Sequence, residues 1–240
     1  MVKQFKKDSL GDRMKGYEKV NEIILASSKP IILRLDGKAF HTYTKGMNKP
    51  FDDTLGYAMK ETMKFLCEEI ADCRFGYTQS DEITLVLTSD IWEDYSPWFQ
   101  NKLQKIISTA SSICTFKFNS IMYEKTGKVG LFDCRAFSIP DYVEASNCLF
   151  WRQLDATRNS VQMLAQAHYR QKELNGLSCD MLKEKLITEK GLNWGDLDSY
   201  KKWGAACYKS EGSWIVDKDT IVFKENWEYV YKHIRKPEIK

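Results

Sequence analysis

Apolar and polar positions follow two periods along this chain. Residues 29–35 read Lys-Pro-Ile-Ile-Leu-Arg-Leu, an apolar stretch opened by proline and closed by Asp36-Gly37, and predict a strand. Pro50-Phe51-Asp52-Asp53-Thr54 is a helix-start signal. After it, Leu55, Ala58, Met59, Thr62, Met63, Leu66 and Ile70 recur at helical spacing. Phe75-Gly76-Tyr77, the polar Thr78-Gln79-Ser80, then Asp81-Glu82 and Ile83-Thr84-Leu85-Val86-Leu87 predict a β-hairpin with acids at its tip. Phe99, Leu103, Ile106, Ile107, Ala110, Ile113 and Cys114 form the apolar stripe of a helix over residues 97–118. Residues 131–137 predict a strand ended by Pro140, residues 146–170 a long helix, and residues 178–190 a shorter helix with Gly191 beyond its end. Short strands in a meander are expected at 205–208, 213–216 and 220–223. Strand, helix and hairpin, followed by mixed elements, give an α+β class.

Composition narrows the possibilities. A chain of 240 residues with 43% hydrophobic and 29% charged residues can bury a substantial core and is not disordered. Its 36 basic and 33 acidic residues leave a net charge of +3, which excludes a broadly basic nucleic-acid coat but allows a local basic groove. No apolar run is long enough to span a bilayer, and the basic N-terminus lacks the apolar stretch of a secretory signal. The seven cysteines are dispersed without a CxxC pair, which argues against a disulfide scaffold or a cysteine zinc site. A cytoplasmic protein without a membrane partner is therefore expected. Three histidines make a multi-histidine metal site improbable.

The chemical signal is acidic residues at strand ends. Asp36 closes an apolar strand, and Asp81 and Glu82 sit at the hairpin tip. If the two strands are neighbours, the aspartates converge. Two close carboxylates repel, and a hard cation relieves the repulsion. Magnesium suits such a site because it uses one or two carboxylates and leaves room for phosphate oxygens, and two ions could hold both oxygens of a phosphoryl displacement. The competing reading is a set of solvated turn acids. The segment Gly37-Lys38-Ala39-Phe40-His41 could cradle phosphate oxygens where strand yields to loop, or be a plain glycine turn.

These residues fall into a family pattern. RLDGKAFHTYT (34–44), NKPFDD (48–53) and FGYTQSDEITLVL (75–87), continued by FDCRAF (132–137), YVEASNCLFWRQLDATRNSV (142–161) and GLNWGDLDSYKKWGAACYK (191–209), resemble the tRNA-His guanylyltransferase family, which adds nucleotides in the 3′-to-5′ direction. The resemblance implies a polymerase- and cyclase-like palm, with an antiparallel sheet flanked by helices and a helical C-terminal extension. The chain is expected to comprise a palm catalytic core over 1–140 and a C-terminal part of helices and short strands over 141–240 packed on it, the two forming one continuous domain. The resemblance implies two Mg²⁺ ions held by Asp36, Asp81 and the Gly37 carbonyl, with Glu82 in support. The loop Gly37–His41 (Gly37, Lys38, Ala39, Phe40, His41) would wrap a nucleoside triphosphate, with Arg34, Lys49, Ser80, Lys105 and Arg135 at positions that contact triphosphates. GTP, ATP and tRNA are the implied partners, and a homotetramer the implied assembly.

One departure is informative. Enzymes of this family that add guanylate to tRNA-His in eukaryotes carry His-Ile-Asn-Asn after Trp-Arg-Gln-x-Asp. Here Trp151-Arg152-Gln153-Leu154-Asp155 leads into Ala156-Thr157-Arg158-Asn159, with Thr157 at the histidine position. This resembles the bacterial and archaeal guanylyltransferase-like branch, which implies template-directed repair of 5′-truncated tRNA. Non-templated addition to tRNA-His and a nucleotide cyclase remain alternatives, and an idle tRNA-binding module is a third. Arg152, Arg158, Asn159, Lys201 and Lys209 are candidate tRNA contacts, as are the N-terminal lysines 3, 6, 7, 15 and 19. Trp98, Trp151, Trp194 and Trp203 are expected in packing.

Overall fold

The computed structural model describes residues 9–88, 96–217 and 219–235. Six strands form one antiparallel sheet: β1 (Ile31–Gly37), β2 (Cys73–Gln79), β3 (Glu82–Leu87), β4 (Phe132–Ser138), β5 (Ala205–Ser210) and β6 (Ser213–Val216), in the order β4-β1-β3-β2-β5-β6. The sheet is built from both ends of the chain, because β5 and β6 extend the edge formed by the β2–β3 hairpin.

Alternation along the strands sends residues to two separate cores. Leu33, Leu35, Ile83, Leu85 and Cys207 pack under α3 (Asp53–Glu69) and α4 (Leu103–Thr126). Ile32, Val86, Phe75, Tyr77 and Ala206 face α5 (Tyr142–His168) and α9 (Trp227–Ile234). The C-terminal half of α5 runs on into a third cluster with α6 (Gln171–Leu174) and α7 (Cys179–Lys190), where the Trp194 indole donates to Ser160 Oγ at 2.9 Å. Three short or peripheral helices complete the fold: α1 (Leu10–Lys19), which buries none of its residues, α2 (Phe40–Tyr43) and α8 (Ser199–Trp203). No described helix is long and apolar enough to cross a membrane.

Several expectations are corrected. Helix α4 begins at Leu103 rather than near residue 97, because Phe99, Gln100 and Asn101 adopt positive φ in a short turn. It continues to Thr126, where Gly127 at φ +62° supplies the left-handed residue that ends it. Residues 220–223 form no strand. The Phe223 N–H donates instead to the Gln153 side chain, which in turn donates to the Ile221 carbonyl. Helices α1, α8 and α9 lie outside the expected elements, although Leu10, Met14 and Tyr17 in α1 and Trp227, Val230, Tyr231 and Ile234 in α9 recur at helical spacing. Lysines 3, 6 and 7 lie outside the described residues.

Candidate active site

The site is built where β1 ends. The period of two places Arg34 and Asp36 on the α5 side of the sheet, while Leu33 and Leu35 fill the opposite core. Antiparallel register sets Asp36 between Glu82 on β3 and Asp133 on β4. The Gly37 N–H donates to the Asp81 carbonyl at 3.1 Å and ties the hairpin tip to the end of β1. Asp36 and Asp81 therefore do converge at one end of the sheet.

Their electrostatics fit a cation. Burial pushes the Asp81 carboxyl above the ordinary carboxylate range. Hydrogen bonds from Ser80 and from its own backbone offset part of that, and the charge of Asp36 raises it further. Ser80 Oγ donates to Asp81 Oδ1 at 2.9 Å and orients the carboxylate. Asp36 is less committed: its side chain is 42% exposed, and its ion pair is a 3.9 Å approach to Arg135. The two carboxylates bring only oxygen donors to the end of the sheet, which is the chemistry Mg²⁺ prefers, and Gly37, the family's carbonyl position, follows Asp36 directly. Among the described residues no three His, Cys, Asp or Glu side chains gather as a metal-holding group, so phosphate oxygens or water would have to complete the shell.

Glu82 faces a different partner. Arg152 on α5 donates from Nε to Glu82 Oε1 at 2.7 Å and from Nη2 to Oε2 at 3.0 Å, and Thr84 Oγ1 lies 3.3 Å from Oε1. The two side chains are 7% and 11% exposed. Burial pushes the Glu82 carboxyl up while Arg152 pulls it back. Burial alone would lower Arg152, but Glu82 and Asp155 hold it above its ordinary value; the paired hydrogen bonds from Nε and Nη2 to the two Glu82 oxygens are the geometry of a guanidinium gripping a carboxylate. Arg152 Nη2 also reaches Asp155 at 2.9 Å, and Asp155 in turn holds Arg158 and Asn159. Arg152, expected at the tRNA surface, is thus a buried clamp. Arg158 and Asn159 lie at the outer end of the same chain.

The remaining candidates divide sharply. Arg135 lies 3.9 Å from both Asp36 Oδ2 and Asp133 Oδ1. Arg34 Nε is buried without a hydrogen-bond partner, and its guanidinium lies 5.8 Å from the Trp151 ring centroid. In the loop after Gly37, Lys38 and His41 are exposed and Ala39 sits at φ +55°. The Phe40 ring is buried against Tyr43, Phe118 and Phe132, so Phe40 can offer a ligand only its backbone. Lys105 falls at the wrong end of α4. It neighbours Glu22, whereas Phe118 is the residue beside Phe40, and at about 1.5 Å per residue the two are separated by roughly 20 Å along the helix. Lys209 is exposed beyond the β5 positions that pair with β2, away from Thr78 and the hairpin tip. Lys201 is held by Asp53 at 3.0 Å and Asp198 at 3.1 Å.

A cavity of about 610 Å³ opens on the Asp81 side of the site, between the α2–α3 connection, the hairpin tip, α5 and α8; Asp36, Gly37, Arg34 and Arg135 are not in its lining. His41, Lys49, Ser80, Asp81, Asn159 and Lys201 all line it, and its volume is in the range of small-molecule sites. Asp52 shapes its rim by accepting from the Asn48 N–H at 3.1 Å and capping α3 through the Leu55 N–H at 3.0 Å. Asp52 thus fulfils the helix-start signal, whereas sequence reasoning passed over Asp133 and the clamp role of Arg152. For Asp133 a signal existed, since alternation in Asp133-Cys134-Arg135 puts the aspartate on the same face as the arginine. Trp151, expected in packing, is 51% exposed.

Comparison with known proteins bears on this geometry. The family model described as tRNA-His guanylyltransferase matches residues 11–140. A bacterial tRNA-His guanylyltransferase (Thg1)-like protein solved in complex with ATP superposes with a TM-score of 0.91 at 43% identity, covering 95% of this chain and 100% of that one. A bacterial protein of the same description in complex with GTP gives 0.82 at 37% identity, with the same coverage. A probable tRNA-His guanylyltransferase of Dictyostelium discoideum is 25% identical over 228 residues, covering 88% of this chain and 87% of its own.

Proposed function

The chain belongs to the tRNA-His guanylyltransferase family, nucleotidyltransferases that act on tRNA, and on that premise we propose that it adds nucleotides in the 3′-to-5′ direction to the 5′ end of tRNA under the direction of a template. The observation that carries the reading is the convergence of Asp36 and Asp81 at the end of the sheet, with Asp81 lining a cavity of about 610 Å³. The sheet, with acids at one end and helices on both faces, is read as a polymerase-like palm. Thr157 supports the templated branch. It stands where a histidine would be, and its hydroxyl donates to the Gln153 carbonyl at 2.9 Å within the helix.

In the first step a 5′-monophosphate oxygen of the RNA attacks the α-phosphorus of ATP or GTP, and pyrophosphate leaves. The 3′-hydroxyl of an incoming nucleoside triphosphate then attacks the activated 5′-phosphorus, and AMP or GMP leaves. An RNA that already carries a 5′-triphosphate enters at the second step and releases pyrophosphate. Asp36, Asp81 and the Gly37 carbonyl would hold Mg²⁺, two ions on the family pattern, which when bound neutralise phosphate charge and acidify the attacking hydroxyl. Arg135 and Arg34 set positive charge next to Asp36 for phosphate oxygens. His41 and Lys49 present donors from the cavity wall. Base pairing would select the nucleotide, so the protein need only hold helix shape and backbone.

A homotetramer is part of the proposal. Leu10, Met14 and Tyr17 form an exposed apolar stripe on α1 at i, i+4 and i+7 spacing, a face open to another copy. Light scattering on the purified protein reads the assembly directly.

The functional test is extension of a tRNA lacking its first 5′ nucleotide, with Mg²⁺ and labelled triphosphates. Addition of the base complementary to the 3′ partner, lost in Asp36→Ala, is the expected result. Addition of guanylate regardless of the opposing base would replace the templated reading with the tRNA-His one. No addition from either a mono- or a triphosphorylated end would overturn both.

A further inference from the structure

Resting on that reading, we infer that Arg152 is a positioning residue for Asp81: by gripping Glu82 it fixes the hairpin tip against α5, and Glu82 serves as the anchor of the tip rather than as a metal ligand. Glu82, the first residue of β3, follows Asp81 directly, and the turn from β2 spans only Ser80 and Asp81. On the β1 side the turn is tied by the Gly37 N–H to Asp81 carbonyl bond. On the helix side it is tied by the two Glu82–Arg152 hydrogen bonds. Removing the second tie leaves Asp81 on a two-residue turn held from one direction.

The chemistry of Glu82 argues the same way. An ionised carboxylate offers about four lone-pair sites. Three are engaged, by Arg152 Nε, Arg152 Nη2 and Thr84 Oγ1. A metal ion on the fourth would sit against a guanidinium, cation beside cation. The grip also needs arginine specifically, since the planar fork delivers two parallel donors and lysine delivers one point charge. Asp155 accepts from the same Nη2 and braces the guanidinium along α5, and the Trp151 ring lies 4.4 Å beneath it. A buried pair of this kind leaves an uncompensated charge when one member is removed, and much less damage when both are.

The test is nucleotide addition with Mg²⁺ titration on Glu82→Gln, Arg152→Gln, Arg152→Lys and the double variant Glu82→Gln/Arg152→Gln, with thermal melting of each. Both single glutamine variants should lose about tenfold or more in kcat, and because both loosen Asp81, half-saturating Mg²⁺ should rise to the same modest extent in each, about threefold or less. Arg152→Lys should recover little, and the double variant should be no worse than the poorer single one. Asp81→Asn should instead raise half-saturating Mg²⁺ by about tenfold or more, or abolish addition. Two results would overturn the inference: wild-type kcat in Arg152→Gln, or a rise in half-saturating Mg²⁺ in Glu82→Gln that Arg152→Gln does not share. Should a variant fail to fold, Glu82→Asp takes its place, keeping the charge and shortening the reach. A wild-type protein that adds no nucleotide to any RNA end would sink the functional reading alone. Calorimetric Mn²⁺ binding then decides the clamp, which fails if Glu82→Gln weakens the ion and Arg152→Gln does not.

Discussion

Asp36 on β1 and Asp133 on β4 face each other as antiparallel register partners, and one guanidinium, that of Arg135, approaches an oxygen of each at 3.9 Å. These contacts are long and half-exposed, so they hold little stability, on the order of 0.5 kcal/mol or less. Their consequence is positional. The arginine is held loosely beside the acids, free to exchange them for phosphate oxygens. Arg135→Ala should leave the denaturation midpoint nearly unmoved and raise KM for the nucleoside triphosphate about tenfold or more. Steady-state kinetics beside a urea titration checks both halves. An unchanged KM would remove Arg135 from the phosphate site.

Asp81 is placed at the expense of stability. Burial and the neighbouring Asp36 charge both disfavour its ionised form, so its folded pKa lies above the unfolded one. A folded state that binds the proton more tightly loses stability as pH rises from the ordinary carboxylate value through the raised one. Asp81→Asn should therefore make the metal-free protein more stable than wild type at about pH 7, with the gain fading at about pH 4. Added Mg²⁺ should narrow the gap by stabilising the wild type alone. Denaturant titrations at the two pH values, with and without Mg²⁺, read the sign. A variant less stable than wild type at neutral pH contradicts the strain.

Gly37 is required by a close approach. A Cβ there would meet Phe40 ring atoms at 2.3 to 2.6 Å, and that ring is locked among Tyr43, Phe118 and Phe132. The ring cannot swing away cheaply, so Gly37→Ala should cost about 1–3 kcal/mol through overpacking. It should also displace the loop that carries Lys38 and His41. Nucleotide addition should fall further than the stability loss explains, measured at a temperature where the variant remains folded. Activity at the wild-type level would mean that the loop does not touch the substrate.

The sequence was most legible where one local rule governs. Strand β1 and the β2–β3 hairpin follow from apolar runs broken by polar turns, and α3 and α7 from their start and stop signals; α5 was expected from residue 146 and begins at Tyr142, where Asp141 caps it. The convergence of Asp36 and Asp81 followed once both strand ends were located, because neighbouring antiparallel strands bring an end and a tip together. What could not be read depends on partners distant in sequence. Glu82 looks identical to a metal ligand until Arg152, on a helix far along the chain, is seen gripping both oxygens. Lys105 sat on a correctly identified helix, but periodicity gives the phase of a helix and not which of its ends reaches the site. Residues 220–223 have the composition of a strand, yet their backbone groups are taken by a side chain.

That side chain supplies a last prediction. Gln153 is 3% exposed; its Oε1 accepts from the Phe223 N–H at 2.7 Å, while its Nε2 donates to the Ile221 carbonyl at 2.9 Å. It joins α5 to the segment leading into α9, next to the arginine that grips the hairpin. Gln153→Glu keeps the shape and the acceptor but sets a second oxygen against a carbonyl oxygen. An ionised carboxylate there is buried without a donor on that side, at a cost of about 3 kcal/mol at neutral pH. Protonation restores a donor toward Ile221, so the folded state should bind that proton more tightly than the unfolded chain. The loss should then be small below the ordinary carboxylate pKa, grow as pH rises through the raised folded value, and stay constant above it. Unfolding midpoints of variant and wild type across that range test the sign. A destabilisation that does not change with pH would mean that the carboxylate reaches water, and that the brace yields where the structure has it closed.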